Sequence, residues 1–185
     1  MKFLIFIVLV LASGCTSTVP ALKQYLLRSE APSQFSVDQQ SAVVGLGTVV
    51  VAPYIDNLGL VQETSSGEVR TARDHQWAEP LRASLRVFMA REISAHKGQI
   101  IRVHDSGEND WQRRIDLRID QLHGTTSGEA TLVAYWQVFA LDRHSVVSEH
   151  GFAESQALSV DGYEALVTAE KSLLRKLAVA IAASL

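Results

Sequence analysis

The chain has 185 residues, of which 47% are hydrophobic and 20% charged, and its 17 basic and 20 acidic side chains give a formal net charge of −3. This length is sufficient for one domain with a substantial core. The acidic balance argues against nucleic acid as a partner, and a single cysteine excludes a disulfide within the chain.

The N-terminus has the pattern of a bacterial lipoprotein signal. A positive end, an apolar run and a small-residue exit follow one another in residues 1–14, directly before Cys15. The apolar run, Phe3–Ala12, is well short of the roughly 20 residues that a membrane-spanning helix needs. The pattern resembles the bacterial lipobox, with Ala12 where leucine is usual. We therefore predict a cleaved signal and a covalent lipid on Cys15, whose acyl chains anchor the protein; an ordinary signal before an incidental cysteine is the alternative.

The predicted mature chain begins with a tether. Removing residues 1–14 takes away one lysine and no acid, so 16 basic residues remain against 20 acidic ones and the formal charge becomes −4. Residues 15–22 are expected to form the lipidated tether and residues 23–185 a single domain. Thr16 follows the cysteine, where aspartate marks inner-membrane retention in Gram-negative lipoproteins. By analogy, Thr16 indicates the periplasmic face of the outer membrane.

The first predicted elements of the domain are strands. A short apolar stretch at Tyr25–Leu27 predicts an early strand, and Val43–Ile55, which is apolar on both faces, predicts a strand in the middle of a sheet. Gly59–Glu63 and Glu68–Arg73 flank a short polar connection that contains glycine. Such a connection predicts a β-hairpin, which we expect to project from the domain.

An amphipathic helix is predicted next. Asp74 is a suitable N-cap, and the helix should end near Gly98, because glycine favours the left-handed conformation that terminates helices. Its apolar side chains recur at intervals of three and four residues: Leu81, Leu85, Phe88, Met89 and Ile93. A short strand is predicted at Ile100–Val103.

The next part of the chain predicts an antiparallel meander that starts at Arg113. Ile115, Leu117 and Ile119 alternate with charged residues, which is typical of a half-buried strand. Two long strands are predicted at Ala130–Leu141 and Val146–Leu158, joined by a turn at residues 142–144.

A last helix is predicted from Asp161, as its cap, to the end of the chain. Its apolar face comprises Tyr163, Leu166, Val167, Leu174, Leu177, Ala178 and Ile181. Together these elements predict an α+β fold: one domain with a mixed, mostly antiparallel sheet and two amphipathic helices packed on one side.

The most distinctive local string is Asp74–Leu81, which reads DHQWAEPL. Together with the pattern around Cys15, the stretch Tyr25–Leu27 and the strand end Val51–Ile55, it resembles the PqiC family of auxiliary lipoproteins of ABC-type intermembrane transport systems. The resemblance spans nearly the whole chain. It implies an outer-membrane lipoprotein without catalytic activity that forms a homo-oligomer. Its implied partner is an inner-membrane protein whose MCE domains form a periplasmic tube for lipids.

In that family the string opens a helix, and here it supplies His75, Trp77 and Glu79 as candidate partner-binding residues. Tyr54 and Leu58 are added as candidates, because the apolar residues Tyr54, Ile55, Leu58 and Leu60 are expected to form an exposed patch near the hairpin. A structural interpretation of the string remains open. In that interpretation Trp77 attaches the helix to the sheet, Glu79 offsets the helix dipole and His75 is hydrogen-bonded locally.

No enzymatic constellation stands out in the sequence. His75 and Glu79 are four residues apart, but no second histidine follows at the spacing of a zinc site. Gly45–Gly47 lacks the remainder of a phosphate loop, and the chain has no G-x-S-x-G motif. We therefore expect no catalysis, no metal and no cofactor other than the lipid on Cys15. The runner-up function is a lipid carrier with an internal apolar cavity.

Overall fold

The computed structural model describes residues 21–31, 43–64, 67–103, 111–140 and 145–185. The predicted signal, most of the tether and the turn at 142–144 lie outside these ranges. The described strands are β1 Lys23–Tyr25, β2 Val44–Val51, β3 Gly59–Glu63, β4 Val69–Trp77, β5 Ile101–Val103, β6 Arg113–Thr125, β7 Glu129–Ala140 and β8 Ser145–Ala157. The described helices are α1 Leu81–Lys97 and α2 Tyr163–Ala183, and neither is long and apolar enough to cross a membrane.

All eight strands join one mixed sheet with β6 at its centre. β6 pairs antiparallel with β7, which pairs with β8, and its other edge is shared by β2 and β3, both parallel to it. β5 extends the sheet beyond β2, while β4 and then β1 extend it beyond β3. The sheet therefore divides on one side of β6, and the segment between β2 and β3 lies at the division.

The α+β class and the single domain are confirmed, but the expectation of a mostly antiparallel sheet is wrong. Four of the seven described strand pairings are parallel: β1–β4, β2–β5, β2–β6 and β3–β6. The reason lies in the connections. Helix α1 carries the chain back across the sheet, so that β5 and β6 enter in the same direction as β2.

Both helices cover the same face of the sheet, as predicted. Along β7, residues with even numbers are buried under the helices and residues with odd numbers are less buried on the other face. The helices bury the stripes that their periodicity predicts, including Leu85, Phe88 and Ile93 of α1 and Leu174 and Ile181 of α2. The core thus lies between one sheet face and two helices.

The start of α1 differs from the prediction. Asp74 does not cap it, because residues 74–77 continue β4, and α1 begins at Leu81 after Pro80 without a capping side chain. The strand is longer than its sequence indicates because β4 pairs with β3 on one edge and with β1 on the other. Tertiary pairing here prevails over a local capping signal.

The helix ends depend on glycine. Gly98 has a φ of 72°, and its amide donates to the carbonyl of Ser94 at 2.9 Å, which ends α1 where predicted. Helix α2 begins after Gly162, which precedes its first turn with a φ of 118°. Asp161 is therefore not its cap, and the prediction was wrong by one residue.

The predicted hairpin exists but does not project. β3 and β4 pair antiparallel around residues 64–68, as expected. β3 also pairs with β6, and β4 also pairs with β1, so both strands are internal to the sheet. The early strand lies before the predicted stretch: β1 covers Lys23–Tyr25 and shares only Tyr25 with Tyr25–Leu27. The second strand is confirmed, but β2 stops at Val51 rather than continuing to residue 55.

Candidate interaction surface

His75 joins three elements that are distant in sequence. Its Nδ1 lies 2.8 Å from the hydroxyl of Tyr25 on β1. On its other side, its ring stacks on Tyr163 of α2, with 4.3 Å between ring centroids. Next to this stack, Lys23 pairs with Glu164 at 3.1 Å. The structural interpretation expected a local hydrogen bond, but the bond of His75 connects β4 to β1, and its stack on Tyr163 connects β4 to α2.

Trp77 and Glu79 lie at the passage from β4 to α1. Trp77 is 3% exposed and belongs to the core, and its amide donates to the carbonyl of Leu58 at 2.7 Å. Glu79 is exposed, and its carboxylate accepts a hydrogen bond from the hydroxyl of Ser84 at 3.1 Å. A carboxylate here is favourable, because the first amides of the helix carry partial positive charge.

The exposed side chains of residues 53–58 and of residues 79–83, around the first turn of α1, form one surface, which we call the signature corner. Asp56 and Arg82 form an ion pair across it. Leu58 is 42% exposed in it. The amide nitrogen of Asn57 donates to the carbonyl of Tyr54 at 2.8 Å and shapes the loop. The corner thus combines an apolar side chain with charged groups.

The expected apolar patch near the hairpin is wrong in most of its members. Ile55 and Leu60 are each 1% exposed and belong to the core, and Tyr54 is half-buried. Only Leu58 of the four is exposed. The division of the sheet places these two residues: Ile55, in the loop after β2, and Leu60, on β3, both pack in the core.

Tyr54 closes a polar cluster at this division. Its ring lies 6.0 Å from that of His123, which is buried and has its Nε2 3.7 Å from the carboxylate of Glu63. Burial, reinforced by Glu63 and Asp120, raises the pKa of Tyr54 to about 12. The phenol therefore stays neutral at physiological pH.

The sheet face that does not contact the helices carries a row of charges. Arg114 and Arg118 each pair with the aspartate two positions further along β6, with N–O distances of 2.8 Å. Their guanidinium carbons lie 4.7 Å and 5.3 Å from the ring centroids of Phe139 and Tyr135 on β7. The alternation of apolar and polar residues in β6 and β7 predicts one buried and one exposed face of the sheet. The contacts between the arginines and the aromatic rings follow only from the pairing of the two strands.

One acidic side chain of the described residues is buried without a charged partner among them. Glu170 of α2 is 1% exposed, and its Oε2 has no hydrogen-bond partner among the described residues. Burial raises its pKa to about 8. The sequence gives only a weak signal for this group, a glutamate within the apolar stripe of α2.

Within the described residues, no three His, Cys, Asp or Glu side chains are grouped so that they could hold a metal ion. Of the predicted partner-binding residues, Leu58 and Glu79 lie on the signature corner, Tyr54 lies beneath its loop, and His75 and Trp77 lie in packed positions. Cys15 lies outside the described residues.

Comparison with known proteins identifies relatives of the whole domain. A sequence model of the family described as ABC-type transport auxiliary lipoprotein component matches residues 25–182. No curated protein matches the chain.

Solved structures share the fold at low sequence identity. An uncharacterized protein is similar with a TM-score of 0.74 and 19% identity over 89% of this chain and 99% of its own. Protein XCC0632 from Xanthomonas campestris has a TM-score of 0.66 and 14% identity, covering 86% of this chain and 92% of its own. The hypothetical protein CT253 from Chlamydia trachomatis has a TM-score of 0.51 and 14% identity, covering 77% and 97%.

Proposed function

Because the chain belongs to the family of ABC-type transport auxiliary lipoprotein components, we propose that it is the docking lipoprotein of an MCE-type lipid-transport system. In this role it holds the distal end of a periplasmic MCE tube at the outer membrane and supports envelope integrity. The family assigns a lipoprotein role in transport. The MCE partner, the outer membrane and the homo-oligomer are our proposal.

Two parts of the string Asp74–Leu81, which we call the signature string, have different positions in the fold. This difference is the observation that supports a docking role. His75 connects β1, β4 and α2 through its hydrogen bond and its stack, and Trp77 is buried in the core. Glu79, directly beyond them, is exposed on the signature corner beside the exposed Leu58. A rigid, packed base that presents an apolar side chain among charges is typical of a protein-binding surface.

The lipid-carrier alternative has less support. A carrier needs a continuous apolar cavity between the sheet and the helices. In the described chain that layer is filled by side chains that are 0–1% exposed, among them Leu46, Leu85, Phe88, Met89 and Leu173. An open depression of about 470 Å³ on the other face is lined by charged and polar groups together with Val50, Leu117, Tyr135 and Trp136. It is open to solvent and carries charged side chains, so it is not the continuous apolar cavity that a carrier needs.

Two measurements test the proposal. Cys15→Ser should release the protein from the membrane fraction and abolish metabolic labelling by a fatty acid. Purified full-length protein should form a defined oligomer in light scattering and bind an MCE-domain protein. A monomer that binds no MCE protein, or one that co-purifies with lipid detected by mass spectrometry, would favour the carrier.

The docking surface is tested by a matched pair of variants. Leu58→Glu places a charge on the signature corner, and we expect it to weaken MCE binding at least tenfold. Val179→Glu makes the same change at an exposed position of α2, where Val179 is 46% exposed, and should bind as the wild type does. Equal binding by both variants would exclude the corner as the contact.

A further inference from the structure

The chain becomes firmly attached to the domain at β1. Lys23–Tyr25 pairs in parallel with His75–Trp77, and the carbonyl of Tyr25 accepts a bond from the amide of Ala78 at 2.8 Å. The ammonium group of Lys23 pairs with Glu164 at 3.1 Å. The point where the chain reaches the fold is therefore fixed at the β1 edge, next to the first turn of α2.

The connection from the predicted lipid to this point is short. From Cys15 to Leu22 there are seven residue steps (22 − 15), which span at most about 25 Å when fully extended. A domain of this size has a radius of gyration of roughly 15 Å and a diameter of about 40 Å. The tether is thus shorter than the domain is wide, and the β1 edge has to stay near the bilayer.

The side chains around this edge have the chemistry that a bilayer surface requires. Leu22 is 53% exposed and Leu26 is 40% exposed, on either side of β1. Val160, in the loop before α2, is 67% exposed and lies four residues before Glu164, the partner of Lys23. Three apolar side chains are thus left in water at the end of the molecule where the anchor is attached, and apolar groups at such positions partition into the membrane interface.

We propose that Leu22, Leu26 and Val160 form a membrane-contacting surface, the anchor-side surface, which rests against the bilayer. The inference rests on the proposed lipid at Cys15. The proposal also determines how the sheet is oriented relative to the bilayer. β8 lies five strand spacings from β1 in the order β1–β4–β3–β6–β7–β8, about 24 Å away, so the β8 edge points towards the periplasm.

The test uses the full-length, lipidated protein in vesicles of phosphatidylethanolamine and phosphatidylglycerol. Cys15 is the only cysteine and is blocked by its lipid, so one added cysteine accepts a fluorescent label at a single site. We compare Leu22→Cys and Val160→Cys with Val179→Cys, an exposed apolar position of α2 outside the anchor-side surface. Spin-labelled lipids quench a label only when it lies at the membrane.

We expect lipid quenching at positions 22 and 160 to be at least threefold stronger than at 179. Equal quenching at all three positions, in protein that floats with the vesicles, would overturn the orientation and leave the anchor intact. Protection of 22 and 160 from aqueous iodide without lipid quenching would also overturn it, and would indicate that a second copy covers this surface. If the wild type does not float, or floats equally well as Cys15→Ser, the proposed anchor fails and the orientation fails with it.

Discussion

The hydroxyl of Tyr25 and Nδ1 of His75 lie 2.8 Å apart although the two residues are 50 positions apart in the chain. This bond ties the edge strand β1 to β4, and the stacking of His75 on Tyr163 extends the connection to α2. A strand of only three residues gains little from backbone pairing alone. The side chains of the signature string therefore decide whether the beginning of the domain stays attached.

His75→Ala should loosen this attachment. The variant loses one hydrogen bond and one aromatic contact, together worth about 1–3 kcal/mol. We expect a decrease of that size in the free energy of unfolding, measured by urea denaturation, and faster proteolysis near residue 23. Gln24→Ala, at an exposed position of the paired strand β1, is the control and should be nearly neutral. Equal stability of both variants would show that neither the hydrogen bond nor the stack of His75 contributes to stability.

Trp77→Ala and Leu58→Ala should differ in their effect on the stability of the fold, because one side chain is buried and the other is exposed. Trp77→Ala removes a side chain that is 3% exposed and should cost about 3–5 kcal/mol of unfolding free energy. Leu58→Ala removes one that is 42% exposed and should change stability by less than about 0.5 kcal/mol. Thermal unfolding of the two variants gives the comparison. A large loss for Leu58→Ala would mean that the signature corner is part of the core.

The elements that the sequence predicts well are those whose pattern is complete within one segment. The alternation of Ile115, Leu117 and Ile119 and the apolar stripe from Leu81 to Ile93 each identify a buried face without reference to any other part of the chain. Both predictions are confirmed, as is the left-handed glycine that ends α1.

The features that the sequence does not predict depend on distant neighbours. Residues 74–77 carry a helix-capping signal, yet they extend β4 because β1, whose residues lie 52 positions earlier (75 − 23), pairs with residues 75–77. The parallel pairings of β2 and the burial of Ile55 likewise follow from which strands meet at β6. For the candidate site, the signature string indicated the region of the signature corner. Which residues of the corner are exposed could not be predicted, because exposure depends on this long-range pairing.

Glu170 should make stability depend on pH. Its pKa is about 8 in the folded protein against an ordinary value of 4.5, so between these values the folded state holds a proton that the unfolded state releases. The contribution of Glu170 to the free energy of unfolding should therefore be largest below pH 4.5. It should fall as the pH rises to 8, by about 1.4 kcal/mol per pH unit at most.

Glu170→Gln isolates this effect because glutamine does not titrate. The difference in unfolding free energy between variant and wild type, measured in urea at pH 5.5 and pH 8, should shift by a few kcal/mol in favour of the variant at the higher pH. Glu164→Gln, at an exposed carboxylate of the same helix, should show little such shift. A difference that does not vary with pH would show that Glu170 has an ordinary pKa when folded.

Gly45 has no side chain because the ring of Trp111 occupies that space. A Cβ at this position would lie 2.1–2.3 Å from three carbon atoms of the indole, well inside van der Waals contact. Gly45→Ala must therefore displace Trp111, which is 8% exposed, and overpacking of this kind costs about 1–3 kcal/mol. We expect that loss in urea denaturation, with a red shift of the tryptophan emission as the indole becomes more exposed.

A double-mutant cycle attributes the loss to the contact between the two residues. Trp111→Leu alone should destabilise the protein, and Gly45→Ala added to it should cost much less than in the wild type, because the smaller side chain leaves room for the methyl group. Thr48→Ala, an exposed change on the same strand, controls for the altered β-propensity. Additive losses would mean that the cost of Gly45→Ala does not come from the approach of the indole.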